Sequence, residues 1–266
     1  MDKAIYLDHA STTPTDPAVV EAMLPYFSEE YGNPSTVYSL GLSAASAVQE
    51  AREAIAGIIG ADADEIYFTS GGTESDNWAL TGAADALQKK GRHLITSTIE
   101  HHAVLETMEF LEKRGCEVTR IPVDSGGLVD PDDVRKAIRP DTILVSIMHG
   151  NNEVGTVEPI GEIGKITREA GVLLHSDVVQ TAGKMRLNVD ELNADMLSMS
   201  AHKFYGPKGV GLMYLRKRAR ITPLFHGGAQ ERNRRAGTLN VPGIMGMARA
   251  LQLCQDRMVE DAARET

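Results

Sequence analysis

A serine hydroxyl, an imidazole and an amine crowd together at Ser200-Ala201-His202-Lys203, just after the mostly apolar run Ala194 to Met199. A second apolar run ends in Leu174-His175-Ser176-Asp177-Val178-Val179-Gln180, so a carboxylate closes another candidate strand. A lysine able to form a Schiff base and a carboxylate able to keep a ring nitrogen protonated are what pyridoxal phosphate (PLP) chemistry asks of a protein. Taken singly, Lys203 reads as a surface lysine and Asp177 as a helix cap. Their neighbours decide between the two readings.

Ser70-Gly71-Gly72-Thr73-Glu74 follows a candidate strand and opens a candidate helix. Small residues there let the backbone come close to a ligand, and the free amides of a helix start attract phosphate. Gly72 and Thr73 are the phosphate candidates, with Ser200 and His202 as further donors. The segment fits neither Gly-x-x-x-x-Gly-Lys-Ser/Thr nor Gly-x-Gly-x-x-Gly, which argues against a nucleotide. In Glu100-His101-His102 the histidines read either as a helix-start pair or, for His101, as a ring that stacks on a flat cofactor. No third ligand has zinc spacing, so no metal is expected. His149-Gly150-Asn151-Asn152-Glu153 is either a turn or a loop whose Asn152 meets the cofactor ring or a substrate carboxylate. Thr73, His101, Asn152, Asp177 and Lys203 all follow the carboxyl ends of candidate strands, where ligands of open α/β sheets sit.

The elements that must position these residues alternate along the chain. Strands are expected at 65–69, 93–98, 117–123, 142–148, 172–176, 195–200 and 210–215. Helices are expected at 16–31, 42–59, 74–89, 104–114, 132–138 and 160–170, then from about Pro242 to Arg264. This pattern predicts an α/β fold: a mainly parallel seven-stranded sheet flanked by helices, with one strand reversed after the loop around Gly206. Between Leu224 and the last helix the chain turns glycine- and arginine-rich. The apolar positions of that helix, from Ile244 to Met258, recur every three to four residues and await a partner.

Composition sets the class. The chain has 266 residues, a formal charge of −10 and 42% hydrophobic residues. With no long basic run, neither nucleic acid nor an anionic membrane is an expected partner. No apolar run reaches the eighteen or so residues of a membrane span, and no signal peptide is visible, so a cytoplasmic protein is expected. Cys116 and Cys254 are too few and too distant for a disulfide framework.

Several further motifs join those above: Tyr6-Leu7-Asp8-His9-Ala10-Ser11-Thr12-Thr13-Pro14, Gly32-Asn33-Pro34-Ser35 and Arg235-Ala236-Gly237-Thr238. Together with Thr69 to Asn77, Glu100-His101-His102, Asn151 to Gly155, Asp177 to Gln180 and Ser198 to Gly211, they resemble, in order, the NifS/IscS-type cysteine desulfurases of the class V aminotransferases. The resemblance implies PLP fold type I, a homodimer, and transfer of sulfur from L-cysteine to an iron–sulfur scaffold or other acceptor protein, leaving L-alanine. It implies that Lys203 holds the PLP aldehyde and moves the Cα proton. Asp177 would pair with the ring nitrogen, Gln180 with the ring oxygen, and His101 would stack on the ring. Thr73, Ser200 and His202 would bind the phosphate, Thr238 the phosphate of a neighbouring subunit, and Asn152 the substrate.

On the same resemblance, 1–15 is expected to pack with a small domain, 16–240 to bind PLP, and 241–266 to begin the helix leading into that domain. The family's nucleophilic cysteine and its carboxylate-clamping arginine are expected beyond residue 266, so impaired desulfuration with retained PLP binding is expected. Cys116 and Cys254 read as packed thiols, and Tyr38 stands where many relatives have histidine. A different PLP lyase or transaminase of this fold, or a non-catalytic PLP-binding dimer partner, stays open as an alternative.

Overall fold

Runs of branched and aromatic residues build the sheet, and a computed structural model describes it within residues 5–265. The strands are β1 (Ile66–Thr69), β2 (His93–Ser97), β3 (Glu117–Ile121), β4 (Thr142–Ser146), β5 (Leu173–Asp177), β6 (Met196–Ser200) and β7 (Gly211–Leu215). They lie in the order β1-β7-β6-β5-β4-β2-β3. Every pairing is parallel except those of β7, which runs against both β1 and β6. The α/β class, the seven strands and the single reversal agree with the sequence pattern.

Period-two alternation divides the strand side chains between two cores. Leu94, Leu144, Met196 and Met213 point to one face, where α4 (Gly72–Leu87) and α5 (His102–Lys113) bring Trp78, Leu80, Met108 and Leu111. Ile95, Val145, Leu197 and Leu212 point to the other. That face is covered by α1 (Pro17–Met23), α3 (Ser39–Ile59), α6 (Pro131–Ala137), α7 (Ile160–Ala170) and α9 (Val241–Glu265). Each fully buried side chain of this size contributes about 1.5–3 kcal/mol. The apolar stripe of α9 finds its partner in α3 and α1.

Three segments depart from the sequence reading. The helix expected over 16–31 breaks at Pro25, which has no N–H to continue it, into α1 and the single turn α2 (Pro25–Ser28). The second helix begins three residues early, at Ser39. The glycine- and arginine-rich stretch contains a turn, α8 (Gln230–Asn233), whose Glu231 and Arg232 adopt φ of 43° and 55°. A buried ion pair holds it: Glu231 accepts from Arg52 at 2.6 Å and from the Phe68 amide at 2.7 Å. No helix among the described residues is long and apolar enough to cross a membrane.

Candidate active site

Strand register brings the loop ends together. Asp177 pairs with Ser198, while Gly211 lies between Ser200 on one side and Thr69 on the other. The ends of β5, β6 and β1 therefore form one rim. The fit is close enough to require glycine: a Cβ on Gly211 would lie 2.5 Å from Gly71 Cα, and one on Gly72 would lie 2.8 Å from a Val179 methyl.

Along this rim lies a cavity of ≈ 850 Å³, in the range of small-molecule sites. Gly72 and Thr73 line it from α4, His101 from α5 and Asn152 from the loop after β4. Asp177 enters from the end of β5 and Gln180 from the turn after it, and Ser200, His202 and Lys203 from β6 and the turn that follows. Thr238 is exposed and lies outside the cavity of its own chain.

Lys203 Nζ donates to the carbonyls of Ala10 at 2.5 Å and Ser11 at 2.8 Å. Burial weakens its hold on the proton, against the pull of Asp177 and Asp8. The N-terminal segment is thereby part of the site. Gln180 donates to the same Ala10 carbonyl at 2.9 Å, and Thr13 donates through its amide and its hydroxyl to the His202 carbonyl. Burial and Lys203 keep His202 below the ordinary histidine range.

His101 stands at the start of α5 and at the cavity wall. Its Nδ1 caps α5 by accepting from the Ala103 amide at 3.1 Å, while its ring lines the cavity. Burial, then the nearby Lys203, lowers its pKa, so the ring is neutral with its proton on Nε2. Asp177 accepts from the Val179 amide at 2.8 Å. Burial raises its pKa to about 6 despite that bond and the charge of Lys203.

Several contributors escaped the sequence reading. Lys208 and Asp8 line the cavity, as does Asp76. Asp76 was legible in principle, since it stands three residues after Thr73 and so shares its face of α4. Glu74 accepts the Ser70 amide at 2.7 Å and makes a two-pronged ion pair with Arg235, at 2.8 and 3.0 Å. This pair ties the loop that carries Thr238 to the start of α4.

The donor set has a definite chemistry. An amine with a lowered pKa can capture an aldehyde, and a buried carboxylate can hold a protonated ring nitrogen. The first amides of α4 have no side-chain cap, and Ser200, His202 and Lys208 stand near them in the same cavity. That end suits a phosphate. One flat molecule with all three groups fits the residues present.

Known proteins resemble the chain along its length. The family described as aminotransferase class-V matches residues 5–266. The whole chain is 57% identical to a cysteine desulfurase IscS of Dictyoglomus turgidum, of which it covers 68%. It is 55% identical, over 97% of its length, to a cysteine desulfurase IscS of Methanosarcina thermophila, covering 64% of that protein. Among solved structures, a NifS-like protein superposes with a TM-score of 0.96 at 45% identity, over 98% of this chain and 72% of the other. SspA in complex with cysteine superposes with a TM-score of 0.91 at 41% identity, over 98% of this chain and 78% of the other. The chain spans about two thirds of the length of the curated relatives it matches.

Proposed function

The chain belongs to the class-V aminotransferase family, and from that premise we propose that it is the cofactor-binding part of a PLP-dependent cysteine desulfurase. The observation that carries this reading is the meeting of Lys203 Nζ and the Asp177 carboxylate in one cavity, beside the open amino end of α4. Lys203 would hold the aldehyde, Asp177 the ring nitrogen and Gln180 the ring oxygen. His101 would lie on the ring face. The α4 amides with Thr73, Ser200 and His202 would hold the phosphate, and Asn152 would orient the substrate.

Bound PLP supplies an electron sink that weakens the bonds at the substrate Cα. Lys203 takes and returns the proton there, and burial suits it to the task because more of its amine is unprotonated near neutral pH. His101 stays neutral and adds no second cation beside Lys203. Overall, L-cysteine and an acceptor thiol give L-alanine and a persulfide: the C–S bond breaks, an S–S bond forms, Cβ is reduced and sulfur is oxidised. The acceptor delivers sulfur to iron–sulfur assembly or to another sulfur-using protein.

Neither cysteine of this chain suits the acceptor role. Cys254 is buried, donates to the Phe204 carbonyl at 3.5 Å and has its pKa pushed up to about 11. Burial also raises the pKa of Cys116, and neither residue lines the cavity. Since the thiolate is the nucleophile, the acceptor comes from elsewhere. The same observation favours a second reading, a thiol-free lyase or transaminase on the same cofactor. The place of Thr238, outside its own cavity, supports a homodimer in which it serves the neighbouring site.

Borohydride reduction of the PLP-loaded chain, followed by peptide mapping, tests the assignment. The adduct is expected on Lys203, and an adduct on another lysine refutes it. Incubation with L-cysteine and dithiothreitol as thiol acceptor is expected to yield alanine and sulfide. Turnover confined to thiol-free amino acids selects the second reading.

A further inference from the structure

Behind Asp177 sits an acid that this chemistry does not use. Asp76 is 1% exposed, and its Oδ1 has no hydrogen-bond partner. It lines the cavity together with Asp177. Strand alternation explains the company it keeps: Ser146, His175, Asp177 and Ser198 share parity with the residues that face α4.

The nearby imidazole cannot neutralise it. His175 Nε2 lies 3.5 Å from Asp76 Oδ1, but burial pushes the pKa of His175 down to about 3. Its Nδ1 meets the Ser146 hydroxyl and its Nε2 the Ser198 hydroxyl, each at 2.9 Å. The other ionisable groups that bear on Asp76 are Asp177 and Glu100, both acids. On its own helix, Glu74 is committed to Arg235. Lys203 offsets the charge of Asp177.

Two buried carboxylates in one site disfavour each other's charge, and the better-supported one ionises first. Asp177 has the Val179 amide and Lys203; Asp76 has the Ser198 hydroxyl alone against its burial and Asp177. We propose that Asp76 is a positioning residue that keeps its proton, leaving Asp177 as the one buried anion of the pair that faces the cofactor ring. A neutral acid there does not repel Asp177.

The role toward the ring rests on the reading that the cavity takes PLP, so the proton is tested without the cofactor first. Infrared spectra of the cofactor-free chain labelled with ¹³C-aspartate, at neutral pH, are expected to contain a buried carboxylic-acid band that Asp76→Asn removes. A spectrum lacking that band, or one unchanged by the substitution, overturns the proposal. If Asp76→Asn does not fold, the labelled PLP-loaded wild type decides: Asp177 is then charged, and a protonated aspartate band must remain.

Spectroscopic titration with PLP supplies the second readout. Asp76→Ala is expected to weaken binding about 10-fold, Asp76→Asn to restore most of it, and Asp177→Asn to remain about 10-fold or more weaker, each tenfold being about 1.4 kcal/mol. Equal losses for Asp76→Asn and Asp177→Asn would show that Asp76 works as an anion, and the proposal fails. A wild-type chain that takes up no PLP defeats the functional reading, and the band in the cofactor-free chain then decides the Asp76 assignment on its own.

Discussion

At the scale of single residues, burial governs which groups carry charge. Lys203→Ala removes the amine that the proposed reaction needs. It is expected to lower alanine formation from cysteine by at least about 10²–10⁴-fold, while the melting temperature stays near that of the wild type. Glu100 is a different case. Its Oε1 accepts from Ser97 and from the Met148 amide, yet burial lifts its pKa from 4.5 to about 8. A carboxyl raised on folding stabilises fully below 4.5, and that contribution is lost as pH rises through about 8. His175 acts in the opposite sense: its pKa falls from 6.5 to about 3, so its contribution is present above 6.5 and lost as pH falls toward 3. Glu100→Gln keeps an acceptor for both bonds. In urea melts it is expected to cost less than about 1 kcal/mol in mild acid and to make the decline toward pH 8 shallower. An unchanged slope would mean that Glu100 is ionised throughout.

At the scale of elements, the glycines at the rim separate packing from flexibility. Gly211→Ala places a methyl 2.5 Å from both Gly71 Cα and the Met199 carbonyl, backbone atoms that cannot rotate aside. It is expected to destabilise by about 1–3 kcal/mol and, on the proposed reading, to weaken PLP binding, because Gly71 begins the turn proposed to hold the phosphate. Gly57→Ala is the control. It lies within α3 with nothing inside 4 Å of the added atom, and should gain about 0.5–1 kcal/mol in helix propensity. Both are measured by denaturant midpoints. Most elements were legible because alternation in the strands and the three-to-four spacing in the helices arise from the same burial that fixes the fold. The helix expected over 16–31 breaks because Pro25, a purely local veto, has no N–H to continue it. The α8 turn was missed because its cause, the Arg52–Glu231 pair, joins residues far apart in the chain.

At the scale of the whole molecule, the site was more legible than its supports. Cavity-lining residues cluster in short segments after strands. Spacing puts Asp76 on the Thr73 face of α4, but its burial beside Asp177 shows only when α4 is laid over β5, and Lys208 joins the cavity only when the loop before β7 closes on the rim. Arg52 and Glu231, with side chains 6% and 1% exposed, fix the segment that leads to Thr238. Glu231→Ala leaves a buried cation unpaired and is expected to cost about 3–5 kcal/mol, seen as an earlier urea midpoint. If two copies share their sites, light scattering should give twice the 28.8 kDa chain mass. Thr238→Val should then weaken PLP binding without changing that mass.

The position of the reversed strand bears on how such a chain comes off the ribosome. β1 is an edge strand whose neighbour is β7, and Ile66 pairs with Tyr214. Ile66-Tyr67-Phe68-Thr69 therefore emerges early and waits, without its β7 partner, until Gly211–Leu215 has been synthesised. Contacts this distant in sequence make for slow assembly and a long exposure to wrong partners. Nascent chains halted before residue 211 should bind chaperones and yield to protease, whereas chains extended far enough past residue 215 for β7 to leave the exit tunnel should not.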